Sequence, residues 1–145
     1  MNNNFSNPAW VQGLGIAVII GILIGFILIL GIGILYILSL QKALNRCAPE
    51  NRAMEPGLVW LLLIPCFWYV WHFFIVINMA KSLGAEFQKR GIAEEPEPGK
   101  VIGLVASILW PCGWIPLLGY LCGPAALICW IIYWVKIAGY SKKLA

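Results

Sequence analysis

Aspartate is missing from these 145 residues, histidine occurs once, and charged side chains amount to 11% of the chain. Soluble domains carry about a quarter charged residues, and a chain this short has too much surface per unit volume to hide so much apolar matter from water. The six acidic residues are all glutamates, and none lies inside an apolar run. A carboxylate pair acting as general acid and base is therefore excluded from those runs. One histidine cannot supply both axial ligands of a haem, and a zinc site would need several Cys and His side chains converging from different segments. No metal and no cofactor is expected. The five cysteines are odd in number and lack Cys-x-x-Cys spacing, and Cys66, Cys112, Cys122 and Cys129 lie in apolar stretches. That excludes a secreted disulfide framework. The ten Lys and Arg, which leave a net charge of +4, form no basic surface interleaved with aromatics, so no nucleic acid is expected as a partner.

What the chain has in abundance is apolar sequence, 61% of its residues, in long runs. The pattern is that of an integral membrane protein whose partner is the lipid bilayer. The expected fold is all-α: a multi-pass membrane helical bundle in a single domain, 1–145. It has four membrane-inserted segments and one cytoplasmic amphipathic helix. The first segment, 11–40, is nearly unbroken apolar sequence, and with no basic residue before it the expectation is a retained anchor rather than a cleaved signal. The second, 58–79, is rich in aromatics and interrupted by Pro65, which must kink or start a helix. Over 79–90, Ala80, Leu83 and Phe87 share one face while Lys81, Glu86, Lys89 and Arg90 take the other, with Glu86 and Arg90 ordered for an i, i+4 pair. Gly91 is a natural helix stop, and 91–99 is a solvated loop. The last apolar run is too long for one span and reads as a hairpin of 100–118 and 124–140, turning at Gly119, Gly123 and Pro124. Pro111 and Pro116 make its first arm irregular.

Gly13, Ala17, Gly21 and Gly25, spaced by four, form a small-residue stripe on the first helix, suited to close helix contact within the chain or between copies. His72, Asn78 and Lys136 are the polar residues expected at membrane depth. For His72 the choice lies between a proton relay or ligand and a hydrogen-bonded or interfacial histidine. For Lys136 it lies between an ion-handling charge and a side chain snorkelling to the headgroups.

Glu55-Pro56-Gly57-Leu58-Val59-Trp60, then Ile64-Pro65 and Trp71, with Ser82-Leu83, Glu86-Phe87 and Arg90-Gly91 downstream, resemble small bacterial four-helix integral membrane proteins of unknown function. The resemblance implies a bacterial plasma-membrane location and brings no activity or functional residue with it.

Two charge rules bear on topology. Four full spans put Lys81, Lys89, Arg90, Lys100, Lys136, Lys142 and Lys143 on one side and Lys42, Arg46 and Arg52 on the other, so that the larger set is cytoplasmic. The first helix alone, with three basic residues shortly after it and none before, asks for an outside N-terminus. A second segment that bends at Pro65 and returns to its own side satisfies both rules. Four spans is the expectation carried forward, and either arrangement leaves the amphipathic helix and C-terminus cytoplasmic. Cys47, the only cysteine outside the apolar runs, is the natural probe of sidedness.

The expected function is non-enzymatic: a structural, accessory or assembly component acting through helix packing, as a homo-oligomer or as a subunit of a membrane complex. One alternative is a small channel or transporter subunit whose broken helices, at Pro65, Pro111, Pro116 and Gly119, line a pathway. Another is a membrane-embedded redox or enzyme subunit using His72 and the cysteines.

Overall fold

The computed structural model describes residues 9–64 and 67–145, and it is all-helical. Helix α1 covers Ala9–Arg46. Two 3₁₀ segments follow, Pro49–Asn51 and Pro56–Leu63, and then α2 (Trp68–Arg90), α3 (Lys100–Cys112) and α4 (Gly119–Lys143). By length and composition, two helices could cross a membrane: α1 from Val11 onward, and α4.

The chain divides into two units, one ending at Leu35 and the other running from Tyr36 to Ala145. In the first, every large apolar side chain from Leu14 to Leu35 is exposed. At about 1.5 Å per residue, helical residues 9–35 extend about 40 Å, more than the ~30 Å hydrocarbon core of a bilayer.

The second unit has a core. Leu40 and Leu44 of α1, Val59 of the 3₁₀ segment, Ile75, Met79 and Leu83 of α2, and Tyr133 and Ile137 of α4 are all fully buried in it. Gly103 lets α3 come close: a methyl group there would lie 2.6 Å from Val76 Cγ1 and 2.8 Å from Tyr133 Cε2.

Within this unit α1, α2 and α4 finish at one end. Arg46 donates to the Ser141 carbonyl and, at 3.2 Å, to its hydroxyl; Arg90 donates to the carbonyls of Leu144 at 3.0 Å and Arg46 at 3.3 Å. Helix C-termini leave carbonyls without intrahelical partners and carry partial negative charge. Two guanidinium groups answer both needs at three helix ends. Helix α2 stops as expected at Gly91, whose φ of 66° is left-handed, while the Ile92 N–H reaches back 2.9 Å to the Phe87 carbonyl.

Five readings need correction. The four-span arrangement separated Arg46 and Arg52 from Lys89 and Arg90, but the structure brings them to one end. Ala48 N–H and Asn51 bond Glu86, Ala53 N–H bonds Ser82 Oγ at 2.9 Å, and Trp71 Nε1 bonds the Leu58 carbonyl at 2.8 Å. The chain from 47 to 63 thus runs antiparallel to α2. The run 58–79 has the apolar length of a span, but its first part is a separate 3₁₀ segment and its second part belongs to the continuous helix α2, which also contains the amphipathic stretch. Pro65, the expected kink, lies outside the described residues.

The hairpin turn also sits earlier than expected. Residues 113–118 make it, with Leu118 N–H bonded to the Pro116 carbonyl at 3.0 Å across Leu117, whose φ is 73°. Gly119 opens α4, and Gly123 and Pro124 lie inside that helix. Glu86, assigned to the polar face, is only 2% exposed, because three donors hold it inward. Cys47 is likewise 2% exposed, which removes it as a ready probe of sidedness.

Candidate functional site

The polar residues of the second unit gather in two places. One surrounds His72. Helix α1 contributes Tyr36, α2 His72 and α3 Ser107, all buried. The Ser107 hydroxyl donates to the Gly103 carbonyl at 2.8 Å, which commits its proton. His72 Nδ1, 2.7 Å away, must then be the donor to Ser107 Oγ, leaving Nε2 to accept from the Tyr36 hydroxyl at 3.0 Å. The network thereby assigns the tautomer.

The result is a one-way chain, Tyr36 to His72 to Ser107 to backbone, with a neutral imidazole satisfied at both nitrogens. Trp68 and Tyr133 lie edge-on or tilted to the imidazole, while Trp130 and Trp134 pack on Tyr36. A cavity of about 10 Å³, bounded by Trp68, Tyr69, His72, Ser107 and Trp110, has room for about one water molecule. The indole N–H of Trp110 and the hydroxyl of Tyr133 have no protein partner among the described residues.

Chemically this centre can hold three helices in register. Ser107 cannot serve as a nucleophile while its proton is committed to Gly103, and the contacts of His72 include no carboxylate to stabilise an imidazolium. Among the described residues, no group of three or more His, Cys, Asp or Glu is placed to hold a metal ion.

The second place is the charged end. Glu86 accepts from Ala48 N–H at 2.8 Å, from Asn51 Nδ2 at 2.7 Å and from Arg90 Nε at 2.7 Å. Burial alone would raise its pKa, but these hydrogen bonds and the Arg90 charge outweigh it and hold the carboxyl below its ordinary 4.5. Nearby, burial foremost, and then the charge of Glu86, pushes the Cys47 thiol up to about 11. Ion pairs of Lys89 with Glu50, Lys100 with Glu97 and Lys143 with Glu94 ring this end.

The other residues singled out from sequence are scattered. A methyl group at Gly13, Gly21 or Gly25 meets no described atom within 4 Å, and Ala17, on the same stripe, is exposed. Asn78 bonds the Phe74 carbonyl one turn back at 2.8 Å. Lys136, 40% exposed, faces Glu95 at 3.6 Å. Pro111 lies in the last turn of α3, and Pro116 and Gly119 lie at the hairpin turn. Sequence reasoning missed Tyr36, Ser107, Gly103 and the burial of Glu86. Their partners are 35 or more residues away or across a helix contact, beyond the reach of any local pattern.

A scan against protein-family models, a search of curated proteins and a search of solved structures return no match for this chain.

Proposed function

We propose that this is a small integral membrane protein with a non-enzymatic role, a structural, accessory or assembly component that works through helix packing. The observation that carries the reading is the unbroken exposure of apolar side chains from Leu14 to Leu35. A helix apolar on every side belongs in lipid or among other helices. Its basic residues support an orientation: Lys42, Arg46 and Arg52 follow the apolar run, and the charged end of the second unit carries Lys89, Arg90, Lys100, Lys142 and Lys143 as well. The positive-inside rule then makes that end cytoplasmic, C-terminus included.

Among the described residues no atom lies within 4 Å of a methyl group at Gly13, Gly21 or Gly25, a surface suited to self-association or to pairing with another membrane subunit. The buried Tyr36–His72–Ser107 chain fits a packing role, since fully satisfied polar networks fix register. Against the channel alternative, Pro111, Pro116 and Gly119 cluster at one turn instead of being spread along a path.

The experiment is gentle extraction from native membrane, followed by mass measurement and crosslinking of the native chain and of Gly21→Leu and Gly31→Leu. A complex that dissociates with Gly21→Leu and survives Gly31→Leu supports the reading. An identical monomer in all three, with no co-purifying subunit, overturns it.

A further inference from the structure

The second unit has a charged end and, opposite it, an apolar one. Helix α3 runs from Lys100 at the charged end to Cys112, and α4 returns from Gly119 to Lys143. The 3₁₀ segment leaves the charged end and α2 comes back to it. At the far end the 113–118 turn meets the start of α2, with Trp114 Nε1 donating to Tyr69 Oη at 2.9 Å. Exposed there are Ile64, Phe67 and Val70 on one side, and Trp114, Leu117 and Leu121 on the other. No charged residue occurs between Val101 and Val135.

The uncharged depth of each arm can be measured. It is about 16 Å for Pro56–Leu63 at the 3₁₀ rise, about 20 Å for α2 from Trp68 to Ala80, about 18 Å for α3 from Val101 to Cys112, and about 25 Å for α4 from Gly119 to Val135. The first three fall well short of the ~30 Å hydrocarbon core, and the uncharged part of α4 falls slightly short of it, although the whole helix is long enough to cross.

The 113–118 turn bonds most of its own N–H groups, the one at Leu117 excepted. Gly113 N–H bonds the Leu109 carbonyl, Trp114 that of Pro111, Ile115 that of Cys112, Leu118 that of Pro116, Gly119 that of Ile115, and Cys122 that of Leu118. Pro116 brings no N–H at all. Backbone groups in lipid must be satisfied within the protein, and these bonds meet most of that requirement. Leu117 holds a left-handed backbone, which glycine adopts without strain, and it is 89% exposed.

We propose, resting on the membrane reading above, that the second unit enters the bilayer from the side of its charged end and stops inside it. The 113–118 turn and the start of α2 beside it sit among lipid acyl chains without reaching the far headgroups. The α3–α4 hairpin is re-entrant, and the interaction surface at its tip is for lipid hydrocarbon.

The test uses phosphatidylethanolamine/phosphatidylglycerol vesicles containing the full chain. In one arm, the native thiols Cys112 and Cys122, which flank the turn, meet a charged maleimide from either side of the vesicle, with peptide mapping. Both are expected to stay unmodified until detergent is added; modification of either in sealed vesicles overturns the proposal. In the other arm, Leu117→Cys and Lys142→Cys, with the native cysteines replaced by alanine, carry spin labels read by collision with oxygen and a water-soluble nickel complex. Position 117 is expected to meet oxygen and exclude nickel, and 142 the reverse. Nickel access at 117 overturns re-entry even if the protein resists carbonate washing. Release by carbonate overturns the membrane reading itself, so the two failures are distinct. If the alanine background does not fold, the native-thiol arm decides.

Discussion

Gly21 and Gly103 are both glycines inside apolar helices, yet their surroundings have nothing in common. A methyl group at Gly21 meets no described atom within 4 Å, whereas one at Gly103 collides with Val76 and Tyr133. The contrast extends to the two units. In the first, small residues and large ones alike face outward. In the second, Gly84 and Gly103 are points of contact, the former with room for no more than a hydrogen against the Pro96 carbonyl. A small residue in a sequence signals close approach without saying to what. Here Gly84 and Gly103 answer to the chain's own helices, while Gly13, Gly21 and Gly25 meet no described atom.

The largest test of this division is Glu86→Leu. It strips the acceptor from Ala48 N–H, Asn51 and Arg90 while keeping size and burial similar. Arg90 is 39% exposed, so the loss comes chiefly from the Ala48 and Asn51 donors left without their acceptor, about 1–3 kcal/mol. Denaturation in mixed micelles should show that loss in the second unit, with the helicity of residues 9–35 retained. Complete loss of helix signal would mean that the two units fold as one. The same carboxylate sets an acid limit. Its folded-state pKa lies below the ordinary 4.5, so its contribution is fully present above pH 4.5 and is lost as pH falls through the lower folded value. A native chain losing stability in that range, beside a flatter Glu86→Gln profile, is the expected pair of curves.

Gly103→Ala comes next. Overpacking a closed contact costs about 1–3 kcal/mol, whereas Gly21→Ala, in open space, should leave the second unit unchanged and favour its own helix by up to ~1 kcal/mol. Equal effects at the two positions, measured by the same denaturation, would dissolve the distinction between them.

Much of this arrangement was legible from sequence for reasons that can be stated. The apolar runs and the scarcity of charge point to helices of a membrane type. Gly91 stops α2 because a left-handed residue is needed there, and Lys100 opens α3 right after the acidic, proline-bearing loop. The returning chain between Arg46 and α2 was seen only as the lesser of two arrangements, because an apolar run reports burial and not direction. Glu86 looked like a surface residue because its i, i+4 partner Arg90 is visible locally and its two other donors are not. His72 was visible as a lone histidine in an apolar run. Tyr36 and Ser107, which decide what it does, lie 36 and 35 residues away.

A smaller effect is expected at that centre. Tyr36→Phe removes one donor to His72 Nε2 and leaves the ring packing on Trp130 and Trp134 intact, so the loss should be about 1 kcal/mol. Ser107→Ala should cost a similar amount, and the double variant less than the sum, because both bonds hold the same imidazole. Strict additivity in a double-mutant cycle would mean that the three side chains do not act as a unit.

In detergent the smallest effect belongs to Leu117 at the hairpin turn, and its sign there and in a bilayer distinguishes the two surroundings of the second unit. Glycine adopts the left-handed backbone without the side-chain clash that leucine meets, which amounts to about 1 kcal/mol; the greater freedom of glycine in the unfolded chain offsets part of that. In detergent, where the apex side chain has no fixed partner, Leu117→Gly should therefore leave stability unchanged or raise it by a few tenths of a kcal/mol. In a bilayer the same substitution removes an 89% exposed apolar side chain from hydrocarbon, at a loss approaching 1.5–3 kcal/mol, and the variant should become less stable than the native chain. Unfolding measured on one preparation in both media should show the reversal, and a gain in the bilayer as large as in detergent would mean that the apex never touches lipid.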